Sequence, residues 1–380
     1  MNKTMRKTIY GIEIENYLKA DKLEKGVIID GVIRLMGINR KSVIRAFKKA
    51  QMKDPWKDYG VGRDVYYTPD CIAALKEIWE IGNRCCGELL HSVISDYVNI
   101  LKRDKMWKHS DITTKKLLEM SIATIKRNVT GWGCSGQKGI STTTPSAIKS
   151  RVPLFEGDWK KVGVGNGQID TVAHCGSANA GSFIFSCGYV DVSSGWIQYR
   201  GQWNKGMEAT RNSLKEIQQR LPFDLEMMHP DCGSEFLNNF VMTWCEEEDI
   251  DLTRSRSYHK NDNGYIEQRN GHIVRRHLGY VRYDKKELLP LFNELLDLIC
   301  LYHNHFISQR LCIGTKINHL GKHKKVYEKV SSTPYKRLLS KSVLNEKQKE
   351  LLTHTHNSLN PKILLDKITK MKHTLITKNR

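Results

Sequence analysis

The sequence predicts an α/β central domain, a mixed five-stranded sheet with helices, set between an all-helical N-terminal region and a basic, mainly helical C-terminal region. Three observations predict it. Apolar residues recur at helical spacing up to about residue 130, the period switches to strand-like alternation at Gly167, and the elements that follow read β-β-β-α-β-α-β-α. A three-strand meander followed by alternating helices and strands gives a sheet with both antiparallel and parallel neighbours. The 380 residues divide into a helical region (1–130), a linker rich in Gly, Ser and Thr (131–160), the α/β core (161–310) and the C-terminal region (311–380).

Two helix, tight turn, helix units are expected in the first region, at about 27–50 and 110–130. In the first, Val32, Ile33, Leu35 and Met36 lead to Gly37, and Val43, Ile44 and Phe47 form the apolar stripe of the next helix. That helix turns Arg40, Lys41 and Arg45 outward, as a recognition helix in a major groove would. In the second, Leu117 and Leu118 precede a turn near Ser121, and Ile122, Ile125 and Val129 follow at i, i+3 and i+7, with Lys126 and Arg127 outward. Any basic amphipathic helix shares this pattern, so it is weak by itself. Residues 71–106 between them read as helical core.

In the core, strands are expected at 168–174, 182–192 and 196–199, then a helix at 207–220 closed by Pro222. A strand at 225–229, a helix at 237–248, a strand at 252–256 and a helix at 265–278 complete it. A long amphipathic helix follows at 287–306, and a lysine-rich region after that.

The formal charge is +20, unevenly spread: +11 over 1–160, −3 over 161–280, zero over 281–310 and +12 over 311–380. Basic flanks around an acidic middle point to a polyanionic partner gripped around a carboxylate-bearing metal centre. No run approaches the roughly 18 apolar residues of a membrane helix, and the first 20 residues lack a signal-type segment, so a soluble, cytoplasmic, nucleoid-associated chain with no membrane partner is expected. The ten cysteines show no zinc-type spacing and read as reduced, buried thiols.

Three acids stand where an ionised group is awkward. Asp170 falls inside the first strand, Asp231 where the fourth ends, and Glu267 on a helical row with Gly271, Val274 and Leu278, expected to face the protein body. Hard oxygen donors from separate elements suit Mg²⁺ or Mn²⁺, and a pair of such ions can activate water and stabilise a leaving alkoxide in phosphodiester chemistry. Chance placement of three acids is the alternative on position alone. Glu235, four residues past Asp231, reads as a helix N-terminal or loop carboxylate rather than a ligand.

The segments around these acids carry a resemblance. Gly167-Gln168-Ile169-Asp170, His229-Pro230-Asp231-Cys232-Gly233-Ser234-Glu235-Phe236 and Lys260-Asn261-Asp262-Asn263-Gly264-Tyr265-Ile266-Glu267-Gln268-Arg269-Asn270 resemble the three acidic motifs of retroviral-integrase-type transposases, with the 35-residue gap between Asp231 and Glu267 typical of their Asp-Asp-Glu triad. Lys138-Gly139-Ile140-Ser141-Thr142-Thr143, His174-Cys175-Gly176 and Thr333-Pro334-Tyr335-Lys336-Arg337-Leu338-Leu339 resemble bacterial insertion-sequence transposases, the ISNCY-like group among them. The likeness covers roughly residues 110 to 365. It implies a ribonuclease H-like core in which Asp170, Asp231 and Glu267 are catalytic and hold two Mg²⁺ ions, with Mn²⁺ as substitute. The implied reaction is nicking at element ends and attack of the freed 3′-OH on target DNA, by a homo-oligomer assembled on double-stranded DNA. Lys260, Asn261, Arg269, Asn270, Arg275 and Arg276 are the expected DNA contacts near the triad. Cys232 departs from the Asn that many relatives carry there, and no histidine precedes His91, so the N-terminal zinc module of retroviral integrases is missing. A non-catalytic DNA-binding repressor and a structure-specific nuclease are the alternatives; the presence of all three acids argues against the first, and paired N-terminal units argue against the second.

Overall fold

The computed structural model describes residues 3–51, 66–132, 151–155, 157–256, 262–317 and 323–379. They fall into two compact units, 1–66 and 67–380.

The smaller unit holds helices α1 (Lys3–Lys19), α2 (Lys22–Met36) and α3 (Arg40–Gln51). Asp21 and Glu24 close a reciprocal capping box at the start of α2, and Gly37 ends it with φ +63°, a left-handed conformation suited to glycine. Ile29, Val32, Met36, Val43 and Phe47 form its core, with Tyr17 stacked on Phe47 at 4.3 Å. Ile44, expected on the same stripe, is 39% exposed, because Val43 and Phe47, four apart, already fill the inward row.

The larger unit opens with α4 (Pro69–Ile81), α5 (Gly87–His91), α6 (Ile94–Arg103), α7 (Asp111–Leu118) and α8 (Ile122–Thr130). Ser110 and Ser121 cap the last two, each side chain accepting the N–H three residues on. Leu75, Tyr97 and Ile125 from these helices share one core with Val172 of the sheet and Phe292 and Leu295 beyond it. The helices at 69–130 therefore belong structurally with the sheet.

The sheet is built from β1 (Asn166–Ala173), β2 (Ile184–Asp191), β3 (Ile197–Trp203), β4 (Met227–His229) and β5 (Asp251–Leu252), in the order β3-β2-β1-β4-β5. The first three are antiparallel, and β4 and β5 run parallel to β1. Helices α9 (Met207–Gln218) and α10 (Asn239–Glu247) precede β4 and β5 and cover one face, packing Leu214, Ile217, Val241 and Trp244 on Ile169, Cys187 and Tyr189. The other face meets α11 (Gly264–Arg269), which runs through a π-helical turn (Asn270–Arg275) into α12 (Arg276–Leu278), and α13 (Leu289–Phe306). With both faces covered, β2 is buried along its whole length. The mixed five-stranded sheet with helices is as expected.

The fifth strand is shorter than the expected 252–256. Its partner β4 stops at Pro230, which has no N–H to give, and Arg254 instead pairs with Leu154 from the end of the expected linker. After α13 the chain forms a hairpin, β6 (Cys312–Ile317) and β7 (His323–Tyr327), where only a basic, mainly helical region is expected. Helices α14 (Pro334–Ser340), α15 (Glu346–Ser358) and α16 (Pro361–Asn379) follow, the last lying along α13. Among the described residues no helix is long and apolar enough to cross a membrane.

Candidate active site

The β1–β4 pairing matches Asn166 with Met227, Gly167 with Met228 and Gln168 with His229. Carried on two residues, that register sets Asp170 beside Asp231. Asp170 keeps the side of Gln168, one strand period back, whereas Asp231 lies past the end of β4.

Asp170 is held from two directions. Its Oδ1 accepts the Thr171 N–H at 2.7 Å and its Oδ2 accepts Asn270 Nδ2 at 2.8 Å. Asn270 in turn accepts the Tyr199 hydroxyl at 3.0 Å on its Oδ1. Tyr199 reaches it by lying across Gly188, the β2 partner of Asp170, where any Cβ would collide with the ring. Burial, then the Asp231 charge, push the Asp170 carboxyl up to about 8, and Glu235 acts in the same direction.

Asp231 is displayed by a turn in which its Oδ1 accepts the Gly233 N–H at 2.8 Å. Behind it, His229 is buried, with Nδ1 at 2.9 Å from Thr253 Oγ1 and Nε2 at 3.0 Å from Ser255 Oγ. Burial drops its pKa to about 4, so the ring is a neutral brace between β4 and the neighbouring segment. Cys232 points its Sγ at the Ser255 carbonyl 3.3 Å away.

Glu267 differs from expectation. It is exposed, because Ile266, fully buried, takes the inward position and the next residue is rotated about 100° from it. The start of its helix is nevertheless fixed to β1. Gln168 Oε1 accepts the N–H groups of Tyr265 at 2.9 Å and Ile266 at 3.3 Å, donors that a helix start leaves without partners. Among the described residues no three His, Cys, Asp or Glu side chains converge closely enough to hold a metal ion. The two adjacent carboxylates, hard oxygen donors crowded by a third negative charge, nonetheless suit a hard divalent cation.

That third charge is Glu235, which the sequence reading sets aside. It is buried, paired with Lys205 at 2.6 Å, within 3.4 Å of Thr171 Oγ1, and its Oε2 has no hydrogen-bond partner among the described residues. Burial raises its pKa and Lys205 opposes the rise. The available signal was its place directly before Phe236 and Leu237, both buried.

The expected DNA contacts scatter. Asn270 is corrected: it is buried on the inward row of its helix and spends both ends of its amide inside the protein. Arg40 pairs with Asp30 and Lys126 with Glu88, whereas Lys41, Arg45 and Arg127 are exposed. Arg269 is half-buried, Arg275 lies over the Tyr280 ring at 4.9 Å, and exposed Arg276 donates to the Arg84 carbonyl at 3.3 Å. Lys260 and Asn261 lie outside the described residues.

No family model matches the chain. Among solved structures, the catalytic core domain of BIV integrase aligns with 47% of this chain and 95% of its own at 17% identity, with a TM-score of 0.32. Among curated proteins, the uncharacterized protein y4rM of Sinorhizobium fredii (strain NBRC 101917 / NGR234) is 31% identical over 317 residues, which is 80% of this chain and 88% of y4rM. With that identity over that share of both chains, the protein belongs to the same family as y4rM.

Proposed function

We propose that the protein is a DNA transposase that binds the ends of an insertion sequence, nicks phosphodiester bonds and joins the 3′-OH ends to target DNA. The observation that carries this reading is the β1–β4 register, which two residues past its last pair brings Asp170 within reach of the Asp231 charge, with the helix of Glu267 tied to the same strand by Gln168. The motif resemblance supplies the reaction class. Asp170, Asp231 and Glu267 are the groups that would hold Mg²⁺, with Mn²⁺ substituting. Such ions, two in the resemblance's scheme, would supply Lewis-acid activation of the attacking oxygen and stabilisation of the leaving one.

The chain's own residues orient and restrain. Asn270 and the Thr171 N–H fix both oxygens of Asp170, His229 braces the turn of Asp231, and the Lys205–Glu235 pair sets the charge behind them. The exposed faces of α3 and α8, carrying Lys41, Arg45 and Arg127, are the surfaces proposed to read element ends as a homo-oligomer assembles on double-stranded DNA. The test is a labelled duplex carrying the flanking element's end, incubated with purified protein in Mg²⁺, in EDTA, and with Asp231→Asn. Metal-dependent nicking with joined products is expected. Nicking without joining would leave a nuclease, and binding without cleavage a repressor.

A further inference from the structure

The helix that presents Glu267 carries arginines on its other faces, and two of them open onto a separate cavity. It lies between the loop after α4, the α11–α12 helix with its π-helical turn, and the segment following α13, with a volume of about 520 Å³. Arg84, Arg269, Arg276 and Arg310 line it. None of the four guanidinium groups meets a carboxylate among the described residues. The one acid in the lining, Glu88, is engaged by Lys126 at 2.5 Å.

Two polar atoms of the same wall are also unsatisfied. Among the described residues, Gln309, 8% exposed, has no hydrogen-bond partner for Oε1, and Arg310 has none for its buried Nε. Buried polar atoms without partners are costly, and a site that keeps two of them beside four guanidinium groups lacking a counter-ion is suited to a ligand that satisfies them. Four guanidinium groups exceed what one carboxylate can balance and match the several oxygens of a phosphate. Ile197, Ile273 and Ile307 give the cavity an apolar side, and its volume lies in the range of small-ligand sites.

We infer that this cavity binds a nucleotide, its phosphate received by the arginines and its base held against the apolar wall with Gln309 at its edge. The nucleotide is either free or one unit of a DNA strand. A second cavity, of about 930 Å³, shares Asn83, Arg84, His272 and Arg276 with the first and adds Arg275 and Lys372 beside Glu80 and Asp366; its four Arg and Lys side chains outnumber its two acids, so a cationic excess continues past the site, as neighbouring phosphates of a strand require.

The inference is independent of the metal-dependent reaction and is tested without metal. In EDTA, the full-length protein is titrated with a fluorescent ten-nucleotide single strand and, separately, with dAMP as competitor. Arg269→Gln and Arg276→Gln are each expected to weaken binding of the strand about tenfold or more. Further loss with Lys372→Gln, with dAMP competing feebly, assigns the site to a strand; tight dAMP binding that Arg269→Gln removes and Lys372→Gln leaves intact assigns it to a free nucleotide. Affinities for both ligands unchanged by Arg269→Gln and Arg276→Gln overturn the proposal. Arg276 is exposed, so its variant keeps the test decisive if Arg269→Gln unfolds.

Discussion

Asn270 Nδ2 donates a 2.8 Å hydrogen bond to Asp170 Oδ2 across 100 residues of sequence, and through its Oδ1 passes the connection to the Tyr199 hydroxyl. A strand residue, a π-helical turn and an outer strand thereby fix one carboxylate.

Asn270→Ala is expected to release Asp170. Partners that orient a metal-binding side chain are typically worth about 10- to 100-fold in metal affinity or activity. Mn²⁺ affinity measured by calorimetry, beside the nicking rate, checks this; unchanged values in both would remove Asn270 from the site.

Gly188→Ala places a methyl group against the Tyr199 ring. Overpacking of this kind costs about 1–3 kcal/mol, and the displaced ring lets go of Asn270. Tyr199→Phe keeps the packing and leaves the Asn270 acceptor buried without a donor, again about 1–3 kcal/mol. Denaturant unfolding of both variants reads these losses.

Without metal, the raised Asp170 pKa makes stability depend on pH. Its folded value, about 8, lies above the ordinary 3.8, so the stabilising neutral form is fully present below about 4 and is lost as pH rises to about 8. In EDTA, the protein should lose stability across that window, and Asp170→Asn should flatten the loss and be the more stable of the two at pH 8. Melting temperatures of both proteins from pH 4 to 9 provide the check.

Lys205→Met strands Glu235 in a buried position. Removing one partner of a buried pair costs about 3–5 kcal/mol, and Glu235→Gln in the same chain should recover much of it. An unaltered unfolding midpoint in Lys205→Met would show that Glu235 is accommodated without its lysine.

The places of Asp170 and Asp231 were legible because strands end visibly: Pro230 stops β4, and alternation locates β1. The helix of Glu267 was legible too, but its inward face was drawn one residue off. Asn270 stands four residues after Ile266 and four before Val274, on the buried row, yet its polarity suggested a surface contact. Glu235 read as a loop or helix-start carboxylate because its partner, Lys205, lies 30 residues earlier and only the fold joins them. The β6–β7 hairpin left no pattern to find, since Ile313 and Ile317 are 55% and 66% exposed and no apolar row faces a core.

The cap that Gln168 places on α11 has a consequence for how this protein tolerates change. The position of the helix is referenced to a central strand rather than to the chain that leads into it, since the amide holds Tyr265 and Ile266 directly and its Nε2 holds the Asp262 carbonyl at 2.8 Å. Insertions ahead of residue 262 can then be absorbed as slack, whereas replacing the single glutamine unmoors the helix at a distance of almost a hundred residues.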